Sequence, residues 1–469
     1  MATLTQLPSA AAQSKAPSPS NVGTMCLLAG ISIAFVSYPS AFSEGPEAMA
    51  AIAARFVGIG FLLSVFFDAM QGIRNLYRVD LLCIFAIYGL TLLEFLFPQE
   101  VFTDMTTPEE TSLSISIVLV GMFFLSIGRH LVPPKPIKSK FLTLADISND
   151  SIFKIVVFSG FFGFLYMLMN VEFSIFKMID AMMGARFTQP WGRGRLGGIN
   201  TLIIELKMLT YIVPPLTAVA WTRIKKFSIS QFMIINLICA LVFFDAIAGG
   251  SRNIYIAHIS TLLMAYLIVR PKNTMINTIV PIMLTVWISG FISYHMLEFR
   301  TMGMRTYLDN KIYATDQVRD SFAADYNLAS IGWVASQMPD PYPFLGWEVV
   351  TWSLIKPIPR AFLPGKPEGL SVSIEEIAGA TGWTIAVTYL GEAYMSFGML
   401  GVVGVSLFLG ALAAWWNRMV VVGQSDYALV VYALGFFAAG ITMRSMFWLT
   451  TAMLPVIALI VFRKYGGLK

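Results

Sequence analysis

The sequence predicts an all-α integral membrane protein that crosses the bilayer about a dozen times, and three observations predict it. Only 13% of the 469 residues are charged and 57% are hydrophobic, whereas soluble domains carry about 25% charged residues. The apolar residues fall in blocks of about 20, the length that a helix needs to cross the hydrocarbon core. Lysine and arginine alternate from loop to loop, as the positive-inside rule describes.

The first element is an N-terminal tail over residues 1–23. It is rich in Ala, Ser, Pro and Gln, with Lys15 as its only charge, so we expect it to be disordered. The apolar block that follows lacks an adjacent basic region and a small-x-small cleavage site, and we interpret it as a membrane helix instead of a signal peptide. Residues 24–469 then form a single transmembrane domain.

About 12 transmembrane helices are predicted (11–14), one for each apolar block. An even number puts both termini on one side, and the distribution of Lys and Arg makes that side the cytoplasm. The predicted spans are 24–42, 48–67, 80–97, 112–131, 151–171, 200–221, 228–247, 253–269, 274–295, 396–416, 427–443 and 445–462.

Two outer segments are long, at about 172–199 and about 297–395, the second preceding the last three helices. The second is too long for a simple connection, so function is expected there. Within it, the spacing from Asp316 to Met338 predicts an amphipathic helix in the membrane interface. Ser373 and Glu376 have the spacing of a capping box. The prolines between Lys356 and Pro367 predict a rigid, extended path.

Several arginines are predicted outside, against the positive-inside rule. A planar guanidinium binds phosphate in a bidentate manner, which an ammonium cannot do. These arginines therefore predict an anion site at the outer membrane boundary, although each could instead pair with a lipid phosphate or a carboxylate, as Arg252 with Asp245. The candidates are Arg252, Arg300, Arg305, Arg360 and Arg444, with Arg193 and Arg195 in the first long loop.

Few side chains could transfer protons on the outer side. His295 and Glu298 are spaced to share a helical face, and Glu392 stands just before the apolar block at 396–416. The sequence contains no HExxH, GxSxG or Cys/His cluster, so neither a metal nor a cofactor is expected. No basic run is interleaved with aromatic residues in a soluble segment, so no nucleic-acid partner is expected.

Residues of about 150–450 resemble bacterial O-antigen and exopolysaccharide repeat-unit polymerases of the Wzy type. A large outer loop late in a many-helix chain also agrees with that family. The matching motifs are Gly250-Ser251-Arg252 at a helix start, Arg300 and Arg305 after the next helix, Pro359-Arg360 with Pro364 and Lys366-Pro367, and Gly391-Glu392-Ala393-Tyr394 with Phe397-Gly398.

The resemblance implies a metal-independent glycosyltransferase in the cytoplasmic (inner) membrane, with its active site facing the periplasm or cell exterior. It would move a growing glycan from undecaprenyl pyrophosphate to a hydroxyl of the next lipid-linked repeat unit. The arginines named above would bind pyrophosphate, and Glu392 or the His295/Glu298 pair would be the general base. Tyr394, Trp347 and Trp352 would contact the glycan, although tryptophan is also common in the interfacial belt.

The implied partners are lipid-linked oligosaccharides, membrane lipids, and a chain-length regulator and flippase of the same pathway. An O-antigen ligase-type transferase would use the same donor with a different acceptor, and the motifs do not separate the two. A transporter without chemistry is the third alternative. Transporters favour inverted repeats and helices broken at mid-membrane, and the sequence shows neither.

Overall fold

The computed structural model describes residues 16–135, 143–191, 203–270, 274–309, 326–358, 362–380, 385–422 and 425–467. These residues contain helices and no strands. Eleven helical segments among them are long and apolar enough to cross a membrane, and the helix Val79–Thr91 is a shorter apolar one. The predicted all-α polytopic membrane fold is confirmed, and each predicted span overlaps one of these twelve segments.

The helices are numbered in chain order. The α-helices of the first half are α1 (Asn21–Ser37), α2 (Pro46–Met70), α3 (Val79–Thr91), α4 (Glu100–Met105), α5 (Pro108–Gly128), α6 (Asn149–Asn170), α7 (Ile175–Met182), α8 (Val213–Thr222), α9 (Ile229–Ala248) and α10 (Arg252–Val269). Those of the second half are α11 (Met275–Met302), α12 (Met304–Asp309), α13 (Asn327–Ser336), α14 (Trp347–Ile355), α15 (Ile374–Ile377), α16 (Thr388–Asn417), α17 (Met419–Val422), α18 (Asp426–Arg444), α19 (Leu449–Ala452) and α20 (Leu454–Tyr465). Short 3₁₀ segments cover Tyr38–Glu44, Ile73–Leu76, Leu93–Leu96, Arg186–Thr188, Leu206–Ile212, Ile224–Lys226 and Met446–Trp448.

Polar caps begin many of the apolar helices. Thr107 and Ser228 form capping boxes with the residues three positions later, at the starts of α5 and α9. The Ser20 hydroxyl accepts the Gly23 N–H at the start of α1. Each cap satisfies a backbone N–H that the helix itself cannot pair, so the ends of the apolar blocks become defined helix starts. The predicted cap at Ser373 is also present, where the hydroxyl accepts the Glu376 N–H at 3.1 Å.

The bundle has two ends, which we name by their residues. Arg223 contacts Asp426, and Arg463 donates to the Ala145 carbonyl, so these turns meet at one end, the basic end. The other end, where α13 meets the start of α5, is the loop end. There the Trp333 indole donates to the Met105 carbonyl at 2.9 Å. The alternation of basic loops predicted from the sequence thus corresponds to two distinct ends.

A buried network of charges closes the basic end. The Arg78 guanidinium donates to Asp68 at 2.7 Å and to Asp80 at 3.0 Å, and all three side chains are fully buried. Arg129, also buried, donates to the Thr24 hydroxyl at 2.6 Å and lies 3.7 Å from Asp80. Although burial disfavours a charged guanidinium, Asp80 and Asp68 hold the pKa of Arg78 above its usual value.

This network links the N-terminal helices to the helices that carry the loop-end residues. Asn417, at the end of α16, donates to Asp80 and accepts the Val79 N–H at 2.8 Å. The Tyr432 hydroxyl of α18 donates to the Tyr77 carbonyl at 2.6 Å. Arg78 and Arg129 belong to the basic residues whose distribution predicts the cytoplasmic side. Both are internal structural residues at the basic end and not surface charges.

Two further expectations need correction. The tail is not wholly disordered, because residues 16–20 run along the basic end, where the Ser20 N–H donates to Asp68 at 2.7 Å; residues 1–15 lie outside the described part. The helix expected within 316–338 is described only as α13, which is buried against α5 instead of lying in an interface plane. Residues 310–325 also lie outside the described part. The small residues of α13 allow it to be buried, since Gly332 lies against the Glu110 backbone.

Candidate functional site at the loop end

Helix α16 is kinked, and the kink positions its first turns. Phe397 and Gly398 have non-helical backbone angles, and Gly398 has φ +62°, which favours glycine. The kink frees backbone carbonyls of the preceding turn. Those of Met395 and Ser396 accept the N–H groups of Leu345 at 2.9 Å and Gly346 at 2.8 Å. The carbonyls freed by the kink are therefore paired by the residues just before α14, and these hydrogen bonds hold α14 beside α16.

Glu392 lies in the helical turns before this kink. The apolar block predicted at 396–416 begins earlier, at Thr388, so Glu392 is inside the helix and not ahead of it. Its buried carboxylate accepts the Ser445 hydroxyl at 2.5 Å and the Met446 N–H at 2.6 Å. The carboxylate thus joins α16 to the end of α18, where Arg444 is the last helical residue.

Two lysines lie around this joint. Lys356 Nζ is 4.2 Å from the centre of the Trp448 ring, and its charge acts on Glu392. Lys366 Nζ donates to the Lys356 and Ile358 carbonyls at 2.6 and 2.9 Å and lies 5.4 Å from the Trp352 ring centre. These contacts tie Lys366 to the backbone at the start of the proline run; residues 359–361 of that run lie outside the described part. Lys356 was not among the predicted site residues; its position at the start of that run was the available signal.

Arg252 and Arg300 are brought together by a glycine turn. Gly250 has φ +60°, and a Cβ atom at this position would lie 2.7 Å from the Arg300 Cβ. The turn that leads into α10 therefore packs directly on the backbone of α11 at Arg300. Only glycine permits both the backbone angle and this approach. The predicted motif Gly250-Ser251-Arg252 has a physical reason in this contact.

Arg252 and Arg444 lie at the same end of a helix pair. Helices α10 and α18 contact each other, and Ile254 and Ala257 belong to the same small apolar cluster as Ala438 and Ile441. Arg252 begins α10 and Arg444 ends α18, each within about two turns of this cluster. The loop end thus collects Arg252, Arg300 and Arg444 with Glu392.

Asp245, the alternative partner of Arg252, has its carboxylate 2.9 Å from Lys207 Nζ. Arg305 forms an exposed ion pair with Asp180 of α7. His295 Nδ1 lies 2.7 Å from the Tyr307 hydroxyl. Glu298 is in α11, but its side chain lies outside the described part, as do Arg360, Arg193 and Arg195 entirely.

The three aromatic candidates lie near the kink. The Trp347 side chain is 72% exposed and meets the Phe397 ring edge-on at 5.3 Å. Tyr394 meets Phe344 edge-on at 5.7 Å, and Trp352 lies beneath Lys366. Their ring faces and edges suit either a sugar ring or the membrane interface.

The loop end therefore presents a carboxylate, cations and aromatic rings in one region. Among the residues that the structure describes, no group of three or more His, Cys, Asp or Glu is arranged to hold a metal ion. No protein-family model, curated protein or solved structure matches the chain. The function proposed below depends on the residues and their geometry.

Proposed function

We propose that the protein is a membrane glycosyltransferase that polymerises oligosaccharide repeat units carried on undecaprenyl pyrophosphate. The observation that carries the proposal is the contact between α16 and the end of α18. There the buried Glu392 carboxylate accepts hydrogen bonds from Ser445 and Met446, the two residues that follow Arg444. The turn of Arg252 packs on Arg300 at the same end. A buried carboxylate at the same end of the bundle as several arginines suits a reaction in which a hydroxyl loses a proton and a pyrophosphate departs.

In this reaction, the acceptor hydroxyl oxygen forms a bond to the anomeric carbon of the donor glycan. Its proton passes to a base, and the bond from the anomeric carbon to the pyrophosphate oxygen breaks. Glu392 is the first candidate base, since each oxygen of a carboxylate can accept more than one hydrogen bond; the His295/Glu298 pair is the second. General-base catalysis contributes about 10²- to 10⁴-fold.

The arginines would stabilise the negative charge that develops on the departing undecaprenyl pyrophosphate. Guanidinium groups held beforehand by the fold need no rearrangement when the charge appears. Arg252 and Arg444 belong to helix ends, so the helices fix the backbone positions from which their side chains extend. In this proposal the basic end faces the cytoplasm and the loop end faces the periplasm, where lipid-linked repeat units are presented after flipping. Membrane lipids, a flippase and a chain-length regulator would be its partners.

The test is the Arg252→Lys variant, compared in cells with Arg270→Lys. These residues stand at opposite ends of α10, where Arg270 lies over the Tyr266 ring at 5.5 Å. Lysine keeps the charge but loses the bidentate geometry. Polymer yield and length should fall with Arg252→Lys and stay at the wild-type level with Arg270→Lys. Unchanged polymer in both variants, at equal protein levels, would refute the pyrophosphate role.

Mass spectrometry of lipid-linked glycans in cells without this chain separates the alternatives. A polymerase deletion accumulates single lipid-linked repeat units, which is the result we expect. Accumulation of long lipid-linked polymer would instead indicate a ligase-type transferase. A transporter would leave repeat units on the cytoplasmic side of the membrane.

A further inference from the structure

The ion pair of Lys207 and Asp245 lies between two membrane-spanning segments, close to the loop end. Lys207 Nζ is 2.9 Å from the Asp245 carboxylate, and both residues belong to membrane-spanning segments, Ile203–Thr222 and Ile229–Ala248. Asp245 lies four residues before Gly249, about 6 Å along the helix. The pair is therefore about one turn deeper than the turn that carries Arg252.

Lys207 shares the 3₁₀ segment Leu206–Ile212 with the buried Tyr211. The Tyr211 ring lies 4.5 Å from the buried His258 ring and stacks on Phe437 at 4.2 Å. His258 Nδ1 has no hydrogen-bond partner among the residues that the structure describes. The segment that carries the ion pair therefore also brings polar rings into an otherwise apolar region.

The two charged groups differ in accessibility. The Lys207 side chain is 37% exposed, whereas that of Asp245 is 12% exposed. The carboxylate thus lies behind the ammonium and holds it in place. An ammonium has three N–H donors, of which Asp245 takes one and the weakly accepting Met167 sulfur lies at 3.7 Å. Donor capacity therefore remains on the accessible side.

The backbone at Lys207 is also unusual for a membrane helix. Leu206–Ile212 is a 3₁₀ segment that precedes α8 within the same span, and such segments often occur at functional positions. Charged residues inside a membrane are expensive to bury and usually serve a function. An apolar pair of similar volume would stabilise the bundle at least as well, so stability alone does not account for this pair.

We propose that Lys207, held by Asp245, forms a binding site for a phosphate group carried by a membrane lipid. The positive, accessible group selects an anion, and its place within a membrane-spanning segment selects an anion attached to a lipid chain. Two sources share this chemistry, a polyprenyl phosphate and an anionic phospholipid. The site does not require that the protein be a polymerase.

The experiment is a lipid titration of the purified full-length protein in detergent, read by native mass spectrometry. The probes are undecaprenyl phosphate and phosphatidylglycerol. Lys207→Met should lower the bound fraction about tenfold, the loss expected for one charge-assisted hydrogen bond, whereas Lys207→Arg should retain it. Lys177→Met is the matched control, because Lys177 forms an exposed ion pair with Glu172.

A second measurement needs no variant. Bound lipid should protect Lys207 of the wild-type protein from an amine-acylating reagent and leave Lys177 equally labelled. Protection by undecaprenyl phosphate alone identifies the polyprenyl carrier, and protection by both probes identifies lipid phosphate in general; each supports the site. Equal labelling of Lys207 with and without either lipid overturns it. The labelling experiment measures lipid binding and not polymer formation. A negative result would therefore not contradict the proposed glycosyltransferase function.

Discussion

The two ends of the bundle use charged residues in opposite ways. At the basic end, Arg78, Asp68 and Asp80 are fully buried and satisfy one another. At the loop end, Arg252, Arg300 and Arg444 are at least partly exposed near helix ends, whereas Glu392 is buried. A closed network of balanced charge holds helices together. In the proposed function, the partly exposed cations of the loop end bind the ligand.

Breaking the closed network should have the largest effect on stability. Asp80→Ala leaves the buried guanidinium groups of Arg78 and Arg129 with too little opposite charge, which costs about 3–5 kcal/mol. The midpoint of thermal unfolding in detergent should drop sharply. Asp150→Ala is the control, because Asp150 pairs with Lys154 at the surface at 2.6 Å, where such pairs contribute less than about 1 kcal/mol. Similar midpoints for the two variants would mean that the network does not hold the basic end.

Two substitutions of Glu392 separate its structural role from a chemical one. Glu392→Ala leaves the buried Met446 N–H without an acceptor and should cost about 1–3 kcal/mol. Glu392→Gln keeps an acceptor oxygen, so it should unfold near the wild-type temperature while polymer formation falls about 10²-fold or more. Polymer yield in cells and unfolding of the purified variants are the measurements. A folded Glu392→Gln variant with normal polymer would assign the proton transfer to His295 and Glu298.

The packing of the turn before Arg252 can be tested by substituting Gly250. Gly250→Ala adds a Cβ atom at φ +60°, 2.7 Å from that of Arg300, and such strain costs about 1–3 kcal/mol. The turn should move away from α11 and polymer yield should decrease. At Gly290, in the same helix α11, an added Cβ meets nothing within 4 Å. Gly290→Ala should therefore leave both unfolding and yield close to wild type; equal losses for the two variants would contradict the packing argument.

The smallest effect is expected at Arg305. Its guanidinium pairs with Asp180 in an exposed position, so Arg305→Ala should change stability by less than about 1 kcal/mol. Polymer yield should also change far less than with Arg252→Lys. A loss as large as that of Arg252→Lys would place Arg305 in the pyrophosphate site, as its position in the sequence first indicated.

The spans were predictable because apolar blocks of sufficient length have one stable form in a bilayer, a helix with its backbone paired internally. The start of α16 could not be predicted, because residues 388–395 include both polar and apolar side chains. Their helix depends on hydrogen bonds to the residues that precede α14 and follow α18. Glu392 was identifiable as a candidate from its place beside an apolar block. Its partners Ser445 and Met446 are over 50 residues away, and no local pattern marks them.

The sequence by itself determined that this is a many-helix membrane protein with basic loops on alternating sides, because hydrophobicity and charge act residue by residue. Only the tertiary structure decided which charges are internal. Arg78 and Arg252 are alike in sequence, each an arginine in a short turn before an apolar helix. Arg78 meets Asp68 and Asp80, which lie 10 and 2 residues away along the chain. It is buried because distant helices cover this group, where Asn417 donates to Asp80 and Tyr432 donates to the Tyr77 carbonyl. Arg252 is only half-buried, and the turn before it packs on the backbone at Arg300. The free energy of a charge depends on such packing, which joins distant parts of the chain.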